Sequence, residues 1–205
     1  MTTSNVLIAI LIGYALGSIQ TAYFMGRLVK QIDIREHGSG NAGASNVVVV
    51  LGWKYGFITG VLDIIKAVIA VLIVKTLYPG NPTLPYLAGI SAILGHLYPF
   101  YLGFRGGKGV ACLIGMFFGL NFWWGLLLLG STILLVLLTD YVVGGSLSLF
   151  AAFPIITLRL GQPPSIIVLS VILTAIIFYK HRSNVRRIIN KEELTISEVR
   201  RRGKS

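Results

Sequence analysis

Residues 110–139 read VACLIGMFFGLNFWWGLLLLGSTILLVLLT, an apolar run of 30 residues. A helix that crosses the hydrocarbon core of a bilayer needs about 20 apolar residues, so this run is longer than one span and shorter than two. A turn at residues 119–121 would divide it into a short helix and a normal one. The alternative is one long tilted helix. Either way, the run indicates an integral membrane protein.

The composition of the whole chain agrees with that reading. Of 205 residues, 55% are hydrophobic and 12% are charged, and the mean hydropathy is +0.80. A soluble domain carries about a quarter charged residues. We therefore expect membrane lipid to be part of the solvent. The length suits a single membrane domain, residues 1–205, with a basic tail over about 181–205.

The apolar runs predict an all-α membrane protein with seven transmembrane helices. Besides the two helices within residues 110–139, five runs are long enough to span or nearly span a bilayer. These five runs cover residues 6–25, 55–77, 84–104, 141–160 and 165–180.

The positive charges choose the orientation. Lys75 and Arg159 fall on one side and Lys66 falls within the second span, which leaves 15 of the 18 Lys and Arg residues on the other side. Cytoplasmic loops are enriched in Lys and Arg, so the N-terminus is predicted outside and the C-terminus inside. The charges thus act as topology signals and anion ligands, and we expect no nucleic-acid partner.

This orientation predicts one site at the cytoplasmic face of the cell membrane. It brings residues 35–46, 103–109, 140–146 and 181–187 to the same side, and these segments hold nearly all the chemically useful polar groups. The first contains HGSGNAGASN at residues 37–46. Glycines let backbone N–H groups form concavities that bind anions, although a flexible loop is the alternative.

The sequence FRGGKG at residues 104–109 is a sharper signal. Three glycines surround Lys108 at the start of a helix, where the helix dipole favours a phosphate. It is not a P-loop, because position 102 is Leu and Gly109 replaces the magnesium-binding Ser or Thr. The alternative is a turn whose charges only enforce topology.

Three histidines and one cysteine show no zinc-binding spacing, so no metal is predicted.

Other polar residues in or near the spans have two interpretations. His181 and Asn184 share one helix face at i and i+3, or else belong to a solvated basic helix end. His96 is either a helix-packing or a functional histidine. Asp63 and Lys66, also at i and i+3, are expected to neutralise each other.

Taken together, these motifs resemble the bacterial acyl-phosphate:glycerol-3-phosphate acyltransferases, nearly end to end. The matching residues are Gly17-Ser18-Ile19, Gly38-Ser39-Gly40-Asn41-x-Gly43-Ala44-x-Asn46, Gly95-His96-x-Tyr98-Pro99, Gly106-Gly107-Lys108-Gly109-Val110, Tyr141-Val142 and His181-Arg182-x-Asn184.

The resemblance implies transfer of a fatty acyl group from acyl phosphate to the 1-hydroxyl of glycerol 3-phosphate, without a cofactor. It implies catalytic roles for four residues, Ser39, Lys108, His181 and Asn184. It implies substrate-binding roles for eight more, Gly40, Asn41, Ser45, His96, Gly106, Gly107, Gly109 and Ser146.

Three positions depart from the family pattern. Val49 stands where members commonly carry an arginine, Gln20 where proline is frequent and Val143 where serine is usual. The first departure would remove one anion contact and lower substrate affinity or activity. Two other classes stay open: a transporter of a phosphorylated solute and, because of Val49, an inactive paralogue that acts as a scaffold.

Overall fold

The computed structural model describes residues 2–202, and the regular structure in that range is entirely helical. The predicted all-α class is thus confirmed. The α-helices are α1 Thr3–Ser18, α2 Thr21–Lys30, α3 Ala44–Leu51, α4 Trp53–Leu77, α5 Thr83–Leu97, α6 Val110–Leu120, α7 Phe122–Thr139, α8 Val142–Arg159, α9 Pro164–Ile189 and α10 Ile196–Arg202. Single turns of 3-10 helix lie at Ile34–Glu36 and Phe100–Leu102.

Among the residues described, five helical segments are long and apolar enough to cross a membrane. They are Thr3–Lys30, which joins α1 and α2, together with α4, α7, α8 and α9. Helix α6 is apolar but shorter. The prediction of a multi-spanning membrane protein is confirmed at this level.

Asn121 divides the apolar run of residues 110–139, which confirms the predicted turn at residues 119–121 over one long tilted helix. Its backbone is extended and ends α6. Its side-chain Oδ1 accepts hydrogen bonds from the N–H groups of Trp123 and Trp124, at 3.0 and 3.2 Å. An Asn in this position satisfies the first N–H groups of the next helix, so α7 begins at once.

The first predicted span is broken, which the sequence did not indicate. Helix α1 ends at Ser18 and α2 begins at Thr21. The N–H of Gln20 donates to the hydroxyl of Tyr101 at 3.2 Å, and that hydroxyl donates to the carbonyl of Ser18 at 2.9 Å. Side chains thus replace the helical hydrogen bonds at the break.

One other predicted boundary was wrong. Helix α5 ends at Leu97 rather than near residue 104, because Pro99 has no N–H and disfavours helical backbone in the residue before it. Helix α9 continues past the predicted end of its span at residue 180 and reaches Ile189, so His181 and Asn184 share one continuing helix. Helix α3 was not predicted, since its eight residues are too short for a span.

Residues up to Gly125 form one compact unit, and residues from Leu126 form a second. The expectation that residues 1–205 act as one domain stays a prediction. In the first unit, α1 and α5 approach closely through small residues. A Cβ at Gly17 would collide with the carbonyl of Ala92, and a Cβ at Gly95 with the carbonyl of Tyr14. Small residues at such contacts are how membrane helices approach each other.

In the second unit, α8 and α9 form a hairpin. The hydroxyl of Thr174 donates to the carbonyl of Phe150 at 2.9 Å, and the hydroxyls of Thr157 and Ser170 are 3.2 Å apart. These two contacts set an antiparallel register along the helix pair. The N-terminal part of α8 therefore lies beside the C-terminal part of α9.

Candidate active site

The loop of residues 37–43 is organised by the side chain of Asn46. Its Oδ1 accepts from the N–H of Ser39 at 2.8 Å, and its Nδ2 donates to the carbonyls of Ile34 and His37 at 2.9 and 3.0 Å. Asn46 is 1% exposed, whereas Ser39 is exposed. A buried amide therefore holds an exposed serine loop in one conformation.

Glycine is required at two positions of this loop. Gly38 and Gly40 have φ values of +60° and +71°, a region that other residues rarely adopt. The chain then enters α3 directly after Gly43. Ser45 lies exposed in the first turn of α3, and Asn41, four residues earlier, is half-buried. The N-terminus of α3 thus lies next to the serine loop.

The glycines of the second loop have a different role from the anion-binding one that their spacing suggests. The N–H of Gly106 donates to the carbonyl of Leu97 at 3.2 Å, and the N–H of Gly107 donates to the carbonyl of His96 at 3.0 Å. A Cβ at Gly106 would meet the carbonyl oxygen of His96. These two glycines allow the loop to lie tightly on the end of α5, and their N–H groups are already engaged within the chain.

The two loops lie side by side in the first unit. A Cβ at Gly107 would collide with the Nε2 of His96 and approach the carbonyl oxygen of Ala42 to 2.7 Å. Arg35 adds a second link, because its Nη1 donates to the carbonyl of Leu102 at 2.7 Å. Lys108, which is half-buried, and Gly109, whose φ is +77°, follow directly and lead into α6.

Arg35 also forms a salt bridge with Asp33, at 2.7 Å. Asp33 begins the 3-10 turn, where its Oδ1 accepts from the N–H of Arg35 at 3.0 Å. The hydrogen bonds from the Arg35 side chain lower the pKa of Asp33 to about 2, although burial acts in the opposite sense. The same pair raises the pKa of Arg35. The bridge between the two loops therefore rests on a fully charged arginine.

A buried ionic cluster lies next to the second loop. Asp63 and Lys66, on α4, form a salt bridge at 2.7 Å, so the expected pairing is confirmed. The Nδ1 of His96 lies 3.0 Å from the Nζ of Lys66. His96 is 3% exposed, and it reaches the loop from inside the protein.

In the second unit, the three predicted site residues occupy the hairpin of α8 and α9. Ser146 is buried on α8, and its hydroxyl donates to the carbonyl of Val142 at 2.8 Å. His181 and Asn184 are buried on α9, one turn apart. The register of the hairpin places Ser146 about one turn away from His181 along the pair.

The hydrogen bonds of His181 and Asn184 set their chemistry. The Nδ1 of His181 lies 2.9 Å from the carbonyl of Ile177, and a carbonyl can only accept, so Nδ1 carries a proton. The Nδ2 of Asn184 donates to Glu193, whose other carboxylate oxygen accepts from the Nε of Arg187. Glu193 thus fixes the orientation of the Asn184 amide.

Sequence reasoning missed three contributors, Asn46, Glu193 and the link from Lys66 to His96. Asn46 lay inside a quoted motif, and Glu193 is one of few acidic residues in a basic tail. Across residues 2–202, no group of three or more His, Cys, Asp and Glu side chains could hold a metal ion.

These features define a polytopic helical membrane protein with a lysine-bearing glycine loop packed against a serine loop. The chain belongs to the glycerol-3-phosphate acyltransferase family, whose family model matches residues 7–191.

Relatives and solved structures cover almost the whole chain. Glycerol-3-phosphate acyltransferase 1 of Oceanobacillus iheyensis is 40% identical over 200 residues, 94% of this chain and 95% of the relative. The glycerol-3-phosphate acyltransferase of Clostridioides difficile is 38% identical, over 95% of this chain and 97% of its own.

Crystal structures of PlsY, an integral membrane glycerol 3-phosphate acyltransferase, have the same fold. Its glycerol 3-phosphate form superposes with a TM-score of 0.84 at 31% identity, over 93% of this chain and 95% of that one. Its lysophosphatidic acid form gives a TM-score of 0.81 at 30% identity, over 95% and 96% of the two chains.

Proposed function

We propose that this protein transfers a fatty acyl group from acyl phosphate to the 1-hydroxyl of glycerol 3-phosphate. The products are lysophosphatidic acid and phosphate, and the reaction serves phospholipid synthesis. One observation carries the proposal: the packing of Gly107 against Ala42 puts the Lys108 loop beside the Ser39 loop. The ligand forms of PlsY, with glycerol 3-phosphate and lysophosphatidic acid, are the acceptor and the product of such a transfer.

The first unit supplies groups for an anionic phosphate. Because the N–H groups of Gly106 and Gly107 donate within the chain, we assign the phosphate contact to the ammonium of Lys108 and to Gly109 at the start of α6. Ser39, Gly40, Asn41 and Ser45 supply polar groups beside it, at the start of α3.

The second unit supplies groups for the glycerol phosphate. We assign Ser146, His181 and Asn184 to this role, since all three lie towards the same end of the α8–α9 hairpin. The Nε2 of His181 can accept a hydrogen bond from a hydroxyl, while the Glu193 carboxylate orients the amide of Asn184.

The chemistry needs orientation and charge stabilisation more than a covalent intermediate. The 1-hydroxyl oxygen attacks the acyl carbonyl carbon, a new ester bond forms, and the bond from that carbon to the phosphate oxygen breaks. The hydroxyl proton passes to His181 Nε2 or to a phosphate oxygen of the substrate. Phosphate is a good leaving group, and Lys108 stabilises the charge that it gains.

The proposed topology has seven spans, with the N-terminus outside, the C-terminus in the cytoplasm and the active site at the cytoplasmic face of the plasma membrane. In this proposal α5 and α6 also cross the membrane, which brings the five long spans to seven. The sorting of Lys and Arg residues supports the orientation. A cysteine placed at Asn81 should react with an impermeant reagent outside intact cells, and one at Ser197 should not. The reverse labelling would contradict the orientation.

A direct assay tests the reaction. Purified protein is given palmitoyl phosphate and glycerol 3-phosphate in EDTA, without coenzyme A, and lysophosphatidic acid is measured by mass spectrometry. We expect turnover under these conditions and none when palmitoyl-CoA replaces palmitoyl phosphate. Turnover with palmitoyl-CoA alone would contradict the assigned donor.

A further inference from the structure

Inside the first unit, the ammonium of Lys66 contacts three polar groups. It forms a salt bridge with Asp63 Oδ1 at 2.7 Å, donates to the carbonyl oxygen of Ile19 at 2.6 Å and lies 3.0 Å from His96 Nδ1. The hydroxyl of Thr21 donates to the same Asp63 oxygen at 2.8 Å. The cluster therefore ties the break between α1 and α2 to α4 and α5.

The cluster also defines the protonation state of His96. Since an ammonium can only donate, Nδ1 of His96 is the acceptor and the ring proton lies on Nε2. The ring is then neutral, and the cluster holds one positive and one negative charge. Asp63, Lys66 and His96 are 1%, 6% and 3% exposed.

His96 connects this cluster to the loop that carries Lys108. Its carbonyl accepts from the N–H of Gly107 at 3.0 Å and from the Nε2 of Gln20 at 2.8 Å. Its Nε2 edge lies against the Cα side of Gly107, where only a hydrogen atom fits. A rotation or shift of His96 would therefore move Gly107, and Lys108 is the next residue.

We propose that Asp63, Lys66 and His96 are a positioning network that sets the placement of Lys108 for the phosphate of its substrate. Burying an ion pair costs more than packing apolar side chains of the same size, and ionisable groups within membrane helices tend to serve function. What the ion pair adds here is direction, because it determines how the His96 ring is turned. This inference rests on the proposed acyl transfer, although its structural part can be tested without activity.

The structural test uses the double variant Asp63→Asn/Lys66→Met, which keeps the net charge and nearly the volume of the pair. Hydrogen exchange in detergent is followed by mass spectrometry for peptides that cover residues 103–110. We expect faster exchange of the Gly106 and Gly107 amides, with unchanged exchange over residues 142–189. The matched control is Lys75→Met on the same helix, whose ammonium donates to the carbonyl of Leu120. Unchanged exchange at residues 106–107 in the double variant would overturn the proposal.

A milder variant protects the test against misfolding. Thr21→Val removes only the hydrogen bond to Asp63 and leaves both charges in place. We expect a smaller increase in exchange at the same two amides. If the double variant does not fold, this result alone decides: an increase at residues 106–107 supports the network, and no increase overturns it.

The functional test is a cycle with Lys108→Ala. We expect Asp63→Asn/Lys66→Met to lower kcat/KM at least about 10-fold when Lys108 is present, and to cost little more when Lys108 is already Ala, because coupled residues are not additive. Equal losses in both backgrounds would show that the network does not act through Lys108. Absence of acyl transfer in the unaltered protein would contradict the proposed function instead, and the exchange measurement would still decide on the network.

Discussion

The side-chain Oδ1 of Asn46 accepts a hydrogen bond from the backbone N–H of Ser39 at 2.8 Å, across seven positions of the chain. The same side chain donates from Nδ2 to two carbonyls, so both ends of the amide are used. The conformation of the serine loop thus depends on one buried residue.

Asn46→Asp should therefore lower kcat/KM by at least about 10-fold, because a carboxylate facing two carbonyls leaves buried acceptors unpaired. Asn81→Asp is the matched control. Asn81 uses only Oδ1, which accepts from the N–H groups of Thr83 and Leu84, so a carboxylate can replace it. Initial rates with both substrates varied separately measure the effect, and equal kinetics in the two variants would show that the loop does not need this amide.

Lys108→Ala should lower kcat/KM by at least about 100-fold, the scale of losing one preorganised charge contact. Lys108→Arg should restore little, since a planar fork replaces a compact ammonium in a loop enclosed by glycines. The control is Lys54→Ala at the exposed start of α4. Unchanged kinetics in a folded Lys108→Ala protein would remove the assignment of this loop to the active site.

Val49→Arg should lower the KM for an anionic substrate by a few-fold. Val49 is 42% exposed on α3 and lies one turn after Ser45, on the same face of the helix. A guanidinium there would face the same side as the proposed substrate-binding serine and would add a favourable charge contact. The uncharged variant Val49→Gln, of comparable length, is the control. An equal drop in KM for both variants would show that charge is not the cause.

Glu193→Gln should lower kcat, because Asn184 and Arg187 share the carboxylate that is lost. In Glu193 the two carboxylate oxygens accept separately from Asn184 and Arg187. A glutamine has one side-chain oxygen, so it cannot accept from both in this way. Glu192→Gln, one residue earlier and exposed, should leave kcat unchanged. Activity is compared after matching the folded fraction of the three proteins by size-exclusion chromatography.

Acid should weaken the bridge between Asp33 and Arg35. The folded-state pKa of Asp33 is about 2, below its ordinary value of 3.8, so its stabilising effect is complete above the ordinary value and is lost as the pH falls towards 2. The difference in unfolding temperature between the unaltered protein and Asp33→Asn should be constant above pH of about 4 and shrink below it. Glu36→Gln, at an exposed neighbouring position, controls for general effects of acid. A difference that does not change with pH would contradict the lowered pKa.

Much of the fold could be predicted because apolar runs of membrane length leave few alternatives. The boundary of α4 at Leu77 and the break at Asn121 follow from composition and from a residue that caps helices. The break between α1 and α2 could not be predicted in this way. It depends on Tyr101 and Lys66, which are distant in sequence and donate to the carbonyls of Ser18 and Ile19.

The candidate site divides in the same manner. Ser39, Lys108, His181 and Asn184 were recognisable from local motifs, and their roles stay predictions. The pairing of Asp63 with Lys66 was recognisable too, but its link to His96 was not, because His96 lies on another helix and meets Lys66 only through helix packing.

By itself, the sequence determined that the chain is helical and membrane-embedded and where its glycine loops lie. Hydropathy and the spacing of glycines are local properties, so they can be read directly from the sequence. Only the tertiary structure decided that Gly106 and Gly107 donate to the end of α5, so that Lys108 rather than these amides is assigned to the phosphate. Hydrogen-bond partners are chosen by distance in space, and Gly107 lies next to His96 only because α5 and the loop after it fold back on each other.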